Sequence, residues 1–250
     1  MRPVTDMMGR VMDVPERPQR IVSLVPSQTE LLADLGLESE VVGITKFCIH
    51  PESWFRKKAR IGGTKTVHLD RVMSLKPDLI IANKEENVKD QIDALTAVAP
   101  VWVSDIQSLD DALQMIRQLG TICGKAEGGD AIATGISDAF AALTQPAIQQ
   151  TTAYCIWREP WMWAGGDTFI DNILQRCGLA NALRDHLRYP ELSLESLKAL
   201  NPELILLSSE PYPFKDQHIA EVSAALPDDL PVDWPAPLPV ALFLAIAAPR

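Results

Sequence analysis

The sequence is short of what a membrane-spanning chain needs. No apolar run approaches the roughly 18 residues that cross a bilayer as a helix; the longest, Val240 to Ala248, is about half that. An integral helical membrane protein is excluded. Basic residues are in deficit: 23 Lys plus Arg against 33 Asp plus Glu give a formal charge of −10, which argues against nucleic acid or an anionic membrane face as partner. Cysteine is scarce, and Cys48, Cys123, Cys155 and Cys177 form no C-x-x-C pair, so neither a zinc or iron–sulfur site nor a disulfide framework is expected. His50, His68, His186 and His218 are scattered without an H-x-x-x-H pair, and no metal site is assigned. There is no G-x-S-x-G elbow, Walker loop, H-E-x-x-H or strand-borne G-x-G-x-x-G, which removes the common enzyme signatures. The first twenty residues lack an apolar stretch behind a basic start, so the expectation is a cytoplasmic chain or one whose export signal has been removed.

What remains is ordinary globular composition, 47 % apolar and 22 % charged over 250 residues, enough for one large domain or two modest ones. Arg20 to Val25 is β-branched and apolar and reads as a strand. A helix should follow, with Ser27 as cap, Glu30 at the capping-box spacing, a stripe of Leu31, Leu32 and Leu35, and Gly36 as its stop. Val41 to Thr45 predicts a second strand, Leu69 to Leu75 a short helix before Pro77, and Asp78 to Ala82 a strand covered on both faces. This rhythm argues α/β.

The second half repeats the plan. Ala153 to Trp157 reads as a strand, and Thr168 with Asp171 three residues on should cap a helix that turns Ile170, Ile173, Leu174 and Cys177 inward and stops at Gly178. Leu69 to Ile80 lies over Leu194 to Ile205 without a gap at a constant offset of 125. An internal repeat of this length means two similar lobes. Between them, Leu109, Ala112, Leu113 and Ile116 mark one amphipathic helix, and Ala126 to Leu143 a second of about 27 Å. Because glycine costs about 1 kcal/mol in a helix interior, Gly128 and Gly129 predict that the second helix starts after them or frays there. The expected divisions are 1–103, an N-terminal α/β lobe, 104–151, a helical connection, and 152–250, a C-terminal α/β lobe with a Pro-rich tail.

Three segments together resemble a family: Arg20-Ile-Val-Ser-Leu-Val-Pro-Ser-Gln-Thr-Glu-Leu-Leu32, the Leu-Lys-Pro-Asp-Leu-Ile run at 75–80, and Gly-Gly-Asp-Thr-Phe-Ile at 165–170. In this order and with this duplication they are similar to the periplasmic binding proteins that serve ABC importers of vitamin B12, siderophores and heme. The resemblance covers about residues 10–222. It implies two lobes with parallel sheets joined by a long bridging helix, the helical-backbone metal-receptor architecture, with a cobalamin or iron chelate in the inter-lobe cleft. It also implies a periplasmic or membrane-associated monomer that meets the importer's membrane subunits, needs no cofactor and is not an enzyme. The tail departs from the family pattern, since prolines 227, 231, 235, 237, 239 and 249 are incompatible with a helix through Pro239.

Ligands of doubly wound sheets gather at the C-terminal ends of the strands, which selects the candidates. They are Pro26, Ser27, Lys46, Phe47, Lys84 and Glu85 in the first half, and Trp157, Arg158, Trp161, Trp163 and Tyr212 in the second. Aromatics beside a few charges suit a flat or bulky ligand. By position the tyrosine that holds heme iron in heme-binding relatives falls near Gly62 and Gly63, so the resemblance implies no such ligation here. The family motif places transporter-docking acids at Asp70 and Glu195, which are equivalent under the 125-residue offset. An acid in a helix's first turn is also favoured by the helix dipole alone. Two alternatives stay open: a cytoplasmic enzyme or chelate-handling protein built on the same binding fold, and a partner-binding module without a small ligand.

Overall fold

In the computed structural model, the described residues are 1–144, 146–147, 149–208, 212–226 and 230–233. They fall into two compact units, the first holding 1–106 and 110–136 and the second the remainder.

The first unit opens with an antiparallel hairpin of β1 (Arg2–Thr5) and β2 (Val11–Val14). Asp6 closes the turn: its Oδ1 accepts the Arg10 N–H at 2.9 Å and its Oδ2 accepts Arg10 Nη2 at 2.7 Å. There follow β3 (Ile21–Ser23), α1 (Pro26–Asp34), β4 (Val41–Ile44), α2 (Glu52–Lys57), β5 (Ala59–Arg60), α3 (Leu69–Ser74), β6 (Leu79–Asn83), α4 (Lys89–Leu95) and β7 (Val101–Ser104). The sheet order is β5-β4-β3-β6-β7, with every pairing parallel. A parallel sheet covered by helices explains why these strands are apolar on both faces rather than alternating. Val22, Ile80, Ala82, Val101 and Val103 form the core with Leu24, Ile61 and Val72 from the flanking segments.

After α5 (Leu109–Ile122) and α6 (Ala126–Ala141), the second unit contains β8 (Gln150–Trp157), β9 (Met162–Trp163), α7 (Phe169–Arg176), β10 (Leu179–Asn181), α8 (Leu194–Lys198), β11 (Leu204–Leu207), α9 (Asp216–Ala225) and β12 (Val232–Asp233). Its order, β10-β8-β11-β12, reproduces β4-β3-β6-β7 of the first unit, with β9 added antiparallel to β8. The repeat extends to backbone conformation. Lys76 and Asn201, 125 residues apart, leave α3 and α8 in the left-handed region at φ 47° and 48°, each followed by the proline that ends the helix. Val72 and Leu197, also equivalent, are both fully buried.

Two local expectations are corrected. Ser27 does not cap α1: the helix starts two residues earlier than that cap predicts, Val25 is the N-cap without a side-chain bond, and Pro26 takes the first turn, where its missing N–H costs nothing. The glycines do not delay α6, which starts at Ala126. Gly120 of α5 and Gly129 of α6 face each other so closely that a Cβ on Gly129 would stand 3.0 Å from the Gly120 Cα and 3.0 Å from the Ile116 carbonyl oxygen. Tight helix contact outweighs the propensity cost. Thr168 caps α7 as expected, its Oγ1 accepting the Asp171 N–H at 3.2 Å, and Gly178 follows the helix at φ 78°. The boundary between the units falls inside α6, after Ile136. Residues 234–250, with most of the prolines of the tail, lie outside the described residues.

Candidate functional site

In the first unit, the strand ends carry a polar layer capped by one exposed ring. The Thr29 hydroxyl donates to Ser23 Oγ at 2.8 Å and lies 3.2 Å from Cys48 Sγ, which is 3.1 Å from Thr45 Oγ1, and all four side chains are buried. Burial pushes the Cys48 thiol pKa up against those hydrogen bonds, so Cys48 acts as an inert filler. Gln28 donates to Ser104 Oγ at 2.5 Å, tying α1 to the end of β7. Asn83 Oδ1 accepts the N–H groups of Glu85 and Glu86 at 2.9 and 3.0 Å, while Asn87 returns a bond to the Asn83 N–H at 2.9 Å. These side-chain turns fix the 83–87 loop without regular structure.

Above this layer sits Phe47, 40 % exposed although aromatic. The ring edge lies close over Gly63, where a Cβ would stand 3.1 Å from it, and Lys46 Nζ stands 4.9 Å from the ring centroid. Lys84 is exposed and paired with Asp105 at 2.6 Å. Of the remaining candidates here, Pro26 is buried at the start of α1, while Ser27 and Glu85 are half-buried.

In the second unit, β8 delivers Trp157, 38 % exposed, and then Arg158. The Trp157 ring meets Tyr212 edge-on at 5.4 Å, and Tyr212 packs on Phe214 at 4.6 Å. Trp161 stacks between Trp163 and Phe214, 6.2 Å from each. Trp163 is corrected from a ligand-facing residue to a core residue: it is fully buried, and its Nε1 donates to the Leu192 carbonyl at 3.0 Å, so it supports Trp161 rather than facing solvent. Arg158 donates from Nε and Nη2 to the two Glu221 oxygens at 2.9 and 3.0 Å, and from Nη1 to Glu159 at 2.5 Å. The hydrogen bonds that Arg158 donates to Glu221, with one to Tyr212, push the guanidinium pKa further up, so Arg158 is a permanent cation. Around these residues lies a cavity of about 520 Å³ lined by Arg158, Glu159, Pro160, Trp161, Glu191, Leu192 and Ser193. Glu159 holds φ 67°, a non-glycine conformation that costs on the order of 1 kcal/mol or more and concentrates at functional rims.

Sequence reasoning named Phe47, Trp157, Arg158, Trp161 and Tyr212 from their place after strands, and missed Glu191, Leu192, Ser193 and Glu221. Glu221 lies 63 residues from Arg158, so no local pattern links them. Asp70 and Glu195 are both exposed in the first turns of α3 and α8. Among the described residues, no three His, Cys, Asp or Glu side chains are grouped so as to hold a metal ion.

Paired parallel sheets with this duplication and site placement correspond to a known family. The model of the periplasmic binding protein family matches residues 21–226. The chain belongs to that family. This periplasmic binding protein is 28 % identical over 218 residues to an ABC transporter substrate-binding lipoprotein of Bacillus subtilis, covering 82 % of this chain and 68 % of the relative. It is 25 % identical over 201 residues to the vitamin B12-binding protein of Pectobacterium carotovorum, covering 78 % of this chain and 72 % of that one. Among solved structures, the periplasmic vitamin B12-binding protein of Vibrio cholerae superimposes with a TM-score of 0.75 at 22 % identity, over 92 % of this chain and 95 % of that one. A periplasmic heme-binding protein of Roseiflexus gives 0.73 at 23 % identity, over 86 % and 89 %. These structures share the fold of this periplasmic binding protein, which among its described residues has no helix long and apolar enough to cross a membrane.

Proposed function

We propose that this protein is the substrate-binding component of an ABC-type importer and that it holds a cobalamin or iron-chelate type ligand without transforming it. One observation carries the reading. The C-terminal end of each parallel sheet presents an exposed aromatic beside a cation: Phe47 with Lys46 after β4 in one unit, and Trp157 with Arg158 at the end of β8, where Arg158 also lies over Trp161, in the other. Bulky conjugated chelates offer the flat apolar faces that such rings stack on. The names of relatives support the same reading, since they are binding proteins for vitamin B12 and heme or components of ABC transporters.

The site residues are Ser27, Lys46, Phe47, Lys84, Glu85, Trp157, Arg158, Trp161 and Tyr212, with the buried Pro26 and Trp163 as supports, and Asp70 and Glu195 serve importer docking. The working location is the outer face of the membrane that carries the importer. Titration with cyanocobalamin, hemin and ferric siderophores, read by quenching of tryptophan fluorescence, tests the reading. The expected result is saturable binding of one of them tighter than about 10 µM, roughly −7 kcal/mol. Failure of all three classes to reach that affinity overturns it.

A further inference from the structure

The cavity at the end of β8 has an unequal charge balance. Among the described residues, Arg158 is the one cation in its lining; Glu159 and Glu191 are the acidic residues there, and Glu221 pairs with Arg158. A guanidinium usually recognises a ligand carboxylate through two parallel N–H bonds. Here those bonds go to the protein's own acids: Nε and Nη2 to Glu221, and Nη1 to Glu159. An arriving ligand carboxylate could take the parallel Nε and Nη2 pair only by displacing Glu221, and it would do so beside Glu159 and Glu191. The rest of the lining is the Trp161 indole, Pro160, Leu192 and Ser193. This combination offers an aromatic face and acceptor oxygens around it, with a surplus of negative charge.

We propose that this cavity receives a hydrogen-bond-donating edge of the ligand, primary amide or cationic, and selects against ligands whose rim carries carboxylates or phenolates. The inference rests on the receptor reading above and narrows its ligand class. Amide N–H groups can donate to Glu159 and Glu191 while the adjoining apolar surface lies on Trp161. Among the described residues, an anionic chelate meets three acids against one cation that is already paired.

The test compares, within each pair, a donor-rich ligand with one whose rim is anionic, and the first pair shares one corrin frame. One pair is dicyanocobinamide, with peripheral amides, and cobyrinic acid, with carboxylates in their place. The other is ferrioxamine B, cationic, and ferric enterobactin, strongly anionic. Dissociation constants are read by calorimetry on the wild-type protein and on a Glu159→Gln, Glu191→Gln double variant. Both side chains are exposed, and a Glu191→Gln single variant with an unchanged thermal midpoint serves as the folding control. Within a pair that binds, the donor-rich member is expected to bind at least about tenfold tighter, or 1.4 kcal/mol. The double variant should shrink that ratio at least about threefold by improving the anionic member. Equal or tighter binding of the anionic member, or a ratio that survives the double variant, overturns the inference and leaves the receptor reading standing. No binding of any of the four overturns the inference, and the receptor reading then stands or falls on the cyanocobalamin and hemin titrations.

Discussion

Asp78 and Glu203 stand 125 residues apart and perform the same task just before the equivalent strands β6 and β11. The Asp78 carboxylate accepts the N–H groups of Gln19 and Arg20 at 2.8 and 2.9 Å, and Glu203 accepts the N–H of Thr151 at 2.7 Å. Each acid's own N–H donates back, Asp78 to the Arg20 carbonyl at 2.9 Å and Glu203 to the Thr151 carbonyl at 2.6 Å. The repeated Pro-acid pair thus sets the register of the repeated strand against its neighbour, Ile21 opposite Leu79 and Thr152 opposite Leu204. Asp78→Ala removes two charge-assisted bonds at an exposed site and should cost about 1–2 kcal/mol, while Glu203→Ala removes one and should cost about 1 kcal/mol. Urea unfolding checks the order. A larger loss at Glu203 than at Asp78 contradicts it.

Glycines in α6 should respond with opposite signs. A Cβ on Gly135 would meet nothing within 4 Å, so Gly135→Ala should stabilise by about 0.5–1 kcal/mol through helix propensity. Gly129→Ala would drive a methyl into Gly120 and the Ile116 carbonyl and should destabilise by about 1–3 kcal/mol. Thermal midpoints of the two variants should move in opposite directions.

The thiols should be graded by depth. Cys48, Cys123 and Cys155 are buried, and desolvation raises the pKa of each, Cys123 to about 12. Cys177, at the C-terminal end of α7, is only half-buried, and desolvation raises its pKa too. In the native protein at about pH 8, a thiol reagent should modify Cys177 alone and slowly; in denaturant it should modify all four. Rapid native labelling of Cys48, read by peptide mass mapping, would contradict the packed layer at the strand ends.

Docking through Asp70 and Glu195 makes a separable prediction. Both carboxylates are exposed on equivalent helices. Charge reversal at a rim residue acts on association with a partner. Glu195→Lys should therefore weaken capture by the importer's membrane subunits at least about tenfold in a pull-down or reconstituted uptake assay. An unchanged uptake rate after reversal at both positions would assign the two acids to the helix dipole alone.

The fold was legible because its signals are local and doubled. The Leu-x-Pro-acid-Leu-Ile segments repeat at a fixed offset, and the capping pair Thr168 and Asp171 lies within one turn. What stayed hidden depends on partners far apart in sequence. The Gly120–Gly129 approach inverts a propensity argument that treated α6 alone, and the polar layer of Ser23, Thr29, Thr45 and Cys48 joins α1, β3 and the segment after β4. At the candidate site, position after a strand picked out Phe47 and Trp157, both of which are exposed. It could not reveal that Glu221 takes up Arg158, or that Trp163, two residues from Trp161, turns into the core.

Asp171 gives stability a pH dependence of predictable sign. Burial raises its pKa above the ordinary 3.8, outweighing the hydrogen bonds from Asn181 at 3.0 Å and Gln175 at 2.5 Å that favour the carboxylate. A folded-state pKa above the unfolded value means that the folded protein holds the proton more tightly. The associated stability is fully present below pH 3.8 and is lost as pH rises through the raised value. Asp34, whose pKa burial also raises, contributes with the same sign. Asp171→Asn removes the titration but also one acceptor oxygen, a cost that does not vary with pH. Plotted against pH, the urea midpoint of the variant should therefore start below that of the wild type near about pH 3.5 and gain on it as Asp171 ionises, the difference levelling off once ionisation is complete. Two curves that stay parallel throughout would show that the hydrogen bonds from Asn181 and Gln175 fully offset the cost of burying the charge.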